Sequence, residues 1–158
     1  MSLLNLPAPD FSAIDSDGNS VSLSDYKGKY LLLIFYPKDN SPVCTKQLCE
    51  YSDSIEDFLE IGTDMLAVNT GTVDEHKYFG VKNNIKIKLL SDTDKKISMD
   101  YRVLNLLGMP KRAVFLIDKN GIIRYENIML PVFYKKKNAL IDEISKIIKS
   151  VESEEKTP

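Results

Sequence analysis

The chain has 158 residues, 43% of them hydrophobic and 28% charged, which is the size and balance of a globular domain able to bury a substantial core. A formal net charge of -2 gives no reason to expect nucleic acid or an anionic membrane surface as a partner. The longest apolar run, Tyr30 to Tyr36, is too short to cross a bilayer, and the opening Met-Ser-Leu-Leu-Asn lacks the features of a signal peptide, so the expected location is cytoplasmic.

In chain order, Phe11–Ile14 and Val21–Leu23 flank a turn at Asp17-Gly18 and read as a hairpin. Ser24 to Gly28 reads as one helical turn closed by glycine. Tyr30 to Tyr36 is continuously apolar, the pattern of a central strand covered on both faces, and Pro37 stops it. From Cys44 to Leu59 the apolar residues Leu48, Tyr51, Ile55, Phe58 and Leu59 recur with helical spacing. Met65–Val68 is a second buried strand, and Thr72 with Glu75 predicts a capped helix running to about Val81. Ile87–Leu90 suggests a short strand and Lys95–Tyr101 a short helix. Ala113–Asp118 and Gly121–Tyr125 form a second hairpin, followed by a helix from about Lys135 to Val151 with Leu140, Ile141, Ile144, Ile147, Ile148 and Val151 on one face.

No repeat, low-complexity tract or linker divides the chain, so residues 1–151 are expected to form a single domain, with 152–158 as a frayed polar tail. Strands alternating with helices and closed by a hairpin predict an α/β fold. Its form is a central mixed β-sheet flanked by helices, with an N-terminal β-hairpin, compatible with a thioredoxin-like fold.

Two cysteines are too few for a disulfide scaffold, and in a cytosolic protein a close pair points to redox or metal chemistry. Metal is poorly supported, because His76 is the one other soft ligand, and the site reading therefore includes no metal and no cofactor. The competing reading is that both cysteines are inert small hydrophobes. Cys44 stands where a strand and a proline-bearing loop lead into a helix, whose free N–H groups and dipole favour a thiolate. Helical phase turns Cys44 toward the apolar stripe and Cys49 away from it. Five residues along an ideal helix put their Cα atoms ~8.6 Å apart, beyond the ~7 Å that a disulfide tolerates. Pairing would therefore require the first turns to unwind.

Ser41 and Thr45 offer hydroxyls near Cys44, although Ser41 also reads as a plain helix cap, and Lys38 and Lys46 read as solvated charges. Arg112 directly precedes a strand whose end belongs at the edge of the sheet where sites gather. His76, with Asp74 and Glu75 in the first turn of its helix, reads as a surface residue rather than a general base. No Gly-x-Ser-x-Gly or Walker loop is present, which leaves acyl transfer and nucleotide hydrolysis without support.

The segment from Tyr36 through Pro37, Ser41 and Cys44 to Cys49 resembles the active-site segment of peroxiredoxins, most closely the peroxiredoxin Q or bacterioferritin comigratory protein group. Ala8–Phe11, Val21–Gly28, Leu89–Asp92 and Phe115–Asp118 preceded by Arg112 extend the resemblance from about Leu6 to Ile148. The resemblance implies a thioredoxin fold, with Cys44 as the peroxidatic cysteine and Cys49 as the resolving cysteine. It also implies that Arg112 holds thiolate and peroxide, that Ser41 supplies a hydroxyl, and that Pro37 shields the pocket. The implied activity is reduction of hydrogen peroxide or an alkyl hydroperoxide, with thioredoxin or a similar dithiol as reductant and a monomer as the working unit. Two positions depart from the family pattern: Ser41 stands for the usual threonine and Val43 for the usual glycine. The Gly108–Arg112 segment looks slightly long, which leaves Lys111 as a rival for the arginine position. A general thiol–disulfide oxidoreductase, a redox sensor and a binding module with inert cysteines are the competing functions. The first of these usually carries Cys-x-x-Cys, not the four-residue gap found here.

Overall fold

The structure is a computed structural model that describes residues 2–130 and 133–156. Strands β1 (Ser12–Asp15) and β2 (Ser20–Ser22) make the first hairpin, closed by Asp15, whose Oδ1 accepts from the backbone N–H groups of Asp17 and Asn19. A 3-10 turn, Leu23–Tyr26, leads into β3 (Tyr30–Phe35). Then follow α1 (Pro42–Asp53), α2 (Ile55–Glu60), β4 (Thr63–Asn69), α3 (Val73–Lys82), β5 (Lys88–Ser91) and α4 (Lys96–Asp100). Strands β6 (Arg112–Ile117) and β7 (Ile123–Met129) and the long α5 (Lys137–Glu155) complete the chain.

One mixed sheet of order β2-β1-β5-β4-β3-β6-β7 runs through the molecule. The strands β3, β4 and β5 are parallel to their neighbours among themselves, while β6 runs antiparallel to β3. Every residue of β3 is buried, as its unbroken apolar run demands for a strand covered on both faces. Side chains alternate along it. Tyr30, Leu32, Ile34 and Tyr36 enter one hydrophobic cluster with residues of α1, α2, α3 and α5, whereas Leu31, Leu33 and Phe35 enter another with Ile97 and Tyr101 of the α4 region. The α/β thioredoxin-like arrangement expected from the sequence is thus present, with helices on both faces.

Strand β7 runs on to Met129, past the expected Tyr125, and two helix boundaries also differ from the sequence reading. The helix expected to run unbroken from Cys44 to Leu59 starts at Pro42 and breaks at Ser54, and Leu59 at its end is half exposed. The break lies in Ser52-Asp53-Ser54, where hydroxyls compete with the backbone: Ser54 Oγ donates to the Glu50 carbonyl, and Ser52 Oγ accepts from Lys86 N–H. At the other end, α5 continues through Glu155, so residues 152–155 of the expected tail are helical; Thr157 and Pro158 lie outside the described residues. Val151 is the last buried residue on the apolar face of this helix, and its hydrogen bonding carries on past it. Among the described residues, no helix is long and apolar enough to cross a membrane.

Candidate active site

Sheet register brings the key groups together. Phe35 at the end of β3 pairs with Ala113, so Arg112 stands at the point where the chain leaves β3 for the Pro37–Ser41 loop. Period-2 alternation gives Arg112 the same face as Val114 and Leu116, which is the face that α1 covers. Its side chain is 1% exposed, and Nη2 donates to Cys44 Sγ at 3.0 Å. Lys111, the sequence rival, is exposed, and its backbone N–H is engaged with the Val103 carbonyl.

The start of α1 is set by local chemistry. Ser41 is the N-cap, with its Oγ accepting from the Cys44 N–H at 3.3 Å, and Pro42 occupies the first helical position, where a missing N–H costs nothing. Cys44 therefore sits in the first turn, at the positive end of the helix dipole, and is 1% exposed. Val43, where the resemblance has glycine, lies within the first turn of α1 and outside the positive-φ positions, so this conformation makes no use of a glycine there. Pro37 is half-buried directly beyond β3. Thr45 is half-buried and its N–H bonds to the Ser41 carbonyl, while Lys38 and Lys46 are exposed.

Sequence reasoning missed Gln47. It lies three residues after Cys44 and so on the same helical face, is fully buried, and its Oε1 accepts from Arg112 Nη1. One guanidinium edge thus reaches the cysteine sulfur while the other is fixed by Gln47. The signal was available in the helical phase, but glutamine reads as a surface residue unless a buried cation is known to face it.

His76 corrects the sequence reading. It is fully buried, with Nδ1 2.6 Å from Asp39 Oδ2 and Nε2 3.4 Å from the carbonyl oxygen of Asn69. The first turn of α3 is turned inward here because Asp39, arriving from a distant segment, supplies the partner that a buried imidazole needs. Asp39 also accepts from the Tyr36 hydroxyl at 2.5 Å. Burial, then the nearby Asp39 carboxylate, push the Tyr36 hydroxyl well above its ordinary pKa, so it remains a donor.

Both cysteines are free thiols. They lie on one continuous helix, whose ideal geometry keeps their Cα atoms ~8.6 Å apart. Cys49 is turned away from Arg112 and half-buried, with its sulfur 4.0 Å from the Asn83 carbonyl at the end of α3. It is less open than helical phase alone suggested, because α3 covers that side. Burial first, and the Asp53 carboxylate second, push its thiol pKa up. Among the described residues, no group of three or more His, Cys, Asp or Glu side chains is arranged to hold a metal ion.

Comparison with known proteins agrees with this geometry. Residues 4–126 match the AhpC/TSA family. Peroxiredoxin Q, chloroplastic, of Oryza sativa subsp. japonica is 38% identical over 120 residues, covering 75% of this chain and 55% of the rice protein. Thioredoxin-dependent peroxide reductase, mitochondrial, of Drosophila melanogaster is 38% identical over 156 residues, covering 91% of this chain and 64% of the fly protein. The chain thus spans between a half and two thirds of the length of these relatives. The solved structure of the reduced 2-Cys peroxiredoxin of Plasmodium vivax matches over 99% of this chain and 100% of its own, with a TM-score of 0.85 and 30% identity. The chain belongs to the AhpC/TSA family, among its peroxiredoxins.

Proposed function

We propose that the protein is a thiol peroxidase in which Cys44 reduces hydrogen peroxide or an organic hydroperoxide and Cys49 resolves the product. The observation that carries this reading is the 3.0 Å contact from Arg112 Nη2 to Cys44 Sγ, at a helix start that is 1% exposed. A sulfur so enclosed suits a substrate of two linked oxygens and disfavours exchange with a protein disulfide, which needs open access.

The Cys44 thiolate attacks one peroxide oxygen along the O–O axis. An S–O bond forms, the O–O bond breaks, and sulfur is oxidised by two electrons to sulfenic acid. The other oxygen leaves as hydroxide or alkoxide and takes a proton from solvent. Arg112, fixed by Gln47, stabilises the charge as it moves from sulfur to oxygen, which is electrostatic preorganisation. Ser41 holds the Cys44 backbone and Pro37 walls the pocket from water. The start of α1 then unwinds, the Cys49 thiolate displaces hydroxide from the sulfenic sulfur, and the disulfide forms. A dithiol reductant takes the two electrons back by exchange, and the name of the fly relative supports thioredoxin for that part. A chain with too few cysteines for a disulfide scaffold fits a reducing compartment such as the cytoplasm, and a monomer is the simplest working unit for a site built within one chain.

The test is intact mass with thiol counting after about one equivalent of hydrogen peroxide is added to the reduced protein, with Cys49→Ser alongside. The expected result is loss of both thiols with an internal disulfide, and a sulfenic acid trapped at Cys44 in the variant. Two thiols left unreacted in the unsubstituted protein would refute the peroxidase reading.

A further inference from the structure

The loop from Pro37 to Ser41 delivers the chain from β3 to Cys44, and its side chains divide sharply. Lys38 and Asn40 are exposed and Pro37 and Ser41 are half-buried, while Asp39 is 7% exposed. Asn40 stands at φ 62°, a left-handed conformation that asparagine adopts more readily than most residues with a side chain. What fixes this loop is the inward reach of Asp39. Its carboxylate joins the Tyr36 hydroxyl at 2.5 Å and His76 Nδ1 at 2.6 Å.

The anchor is itself braced. Asn69 at the end of β4 donates from Nδ2 to the Tyr36 carbonyl at 2.7 Å, and its own carbonyl oxygen faces His76 Nε2. Gly71 is packed so closely over the imidazole that an added Cβ would lie 3.1 Å from His76 Cε1. Taking a carboxylate and an imidazole out of water is costly unless each satisfies the other. The peroxide chemistry described above uses neither of them. Their arrangement ties a loop that has to move to α3, β3 and β4, which do not.

We propose that His76 and Asp39 are positioning residues for Cys44: their buried hydrogen bond holds the 37–41 loop, and with it the first turn of α1, in the peroxide-facing conformation, and its release is part of the unwinding that brings Cys44 to Cys49. This rests on the two-cysteine cycle proposed above. Asp39 stands two residues before Ser41, whose Oγ holds the Cys44 N–H, so slack at Asp39 passes directly to the cysteine. Peroxide attack needs the folded arrangement and disulfide formation needs the unwound one. Weakening the anchor therefore slows the first step and speeds the second. A general loss of stability has no such signature, since it lowers the amount of active protein without accelerating any step.

The experiment is rapid-quench intact-mass analysis of a single turnover of the reduced protein with hydrogen peroxide. It separates the peroxide-dependent rate of sulfenic acid formation from the peroxide-independent rate of disulfide formation. In His76→Leu the first should fall and the second rise, so that the ratio of the second rate to the first grows about tenfold, the range for losing a charge-assisted hydrogen bond. In His76→Asn, whose amide nitrogen stands close to the position of Nδ1, both should return toward the parent values. The proposal is overturned if both rates move in one direction, if neither moves, or if His76→Asn behaves like His76→Leu. Asp39→Asn gives the same readout should His76→Leu fail to fold. A parent protein that forms no disulfide would show the cycle itself to be wrong before any variant is compared. The positioning claim would then be judged on the first rate alone, and an unchanged first rate in His76→Leu would overturn it.

Discussion

Burial and the Asp53 carboxylate push the Cys49 thiol above its ordinary pKa in the folded chain, whereas an unwound chain returns it to the free value of ~8.5. A folded-state pKa that is raised stabilises the folded form fully below the unfolded value, and that contribution is lost as pH climbs toward the folded one. Above ~8.5 ionisation therefore draws the start of α1 toward its unwound form and, in the proposed cycle, arms the Cys49 thiolate at once. The rate of disulfide formation should keep climbing through ~8.5 and level only at the higher folded-state pKa. In Asp53→Asn the levelling point should move to lower pH. A wild-type profile that already levels near ~8.5 would show that Cys49 titrates as a free thiol. Of the other side chains at this scale, Cys44 was readable from its place at a helix mouth, and Arg112 from the family resemblance, with Lys111 as a rival. Gln47, Asp39 and His76 were not, because each is polar and is buried only by a partner that arrives from another segment.

In the proposed cycle helix α1 has to be firm enough to present Cys44 and weak enough to release it. Leu48, buried between the two cysteines, contributes ~1.5–3 kcal/mol of the docking. The Gln47–Arg112 hydrogen bond adds about 1.5–3 kcal/mol. The Ser41 cap adds about 1 kcal/mol at the first turn. In Ser41→Ala the amides of the first turn should exchange with solvent about fivefold faster in the reduced protein, while Ser41→Thr, which keeps the oxygen, should match the parent. Unchanged exchange in the alanine variant would mean that the cap does not hold this turn. The existence of the helix, and Cys44 as its inward residue, followed from apolar spacing. Its division at Ser54 did not, because the stripe Leu48, Tyr51, Phe58 runs on across the break, and only the hydrogen bonds of Ser52 and Ser54 reveal it.

Across the whole molecule the sheet separates two bodies of apolar packing, and the Cys44 site belongs to one of them. Leu33 belongs to the other. Leu33→Ala should cost about 2–5 kcal/mol, lowering the melting temperature by on the order of 10 °C in a protein of this size. The rate of the peroxide step at 25 °C should stay near that of the parent. A loss of that rate as large as the loss of stability would show that the two bodies are not independent. The sheet as such was legible, because β3, β4 and β6 each carry a continuous apolar run. Their order was not, since no local pattern says that β6 inserts beside β3 and thereby sets Arg112 against Cys44.

That strand order also places the site in time. Leu33 pairs with Leu66 on one side and with Phe115 on the other, so β3 leaves the ribosome long before its second neighbour exists. Contacts so distant along the chain close slowly. Until Arg112 has been synthesised and docked, Cys44 has no guanidinium against its sulfur. A growing chain thus carries Cys44 through a long stretch of synthesis before the guanidinium that faces it exists, and the peroxide chemistry proposed for it has to wait for that strand.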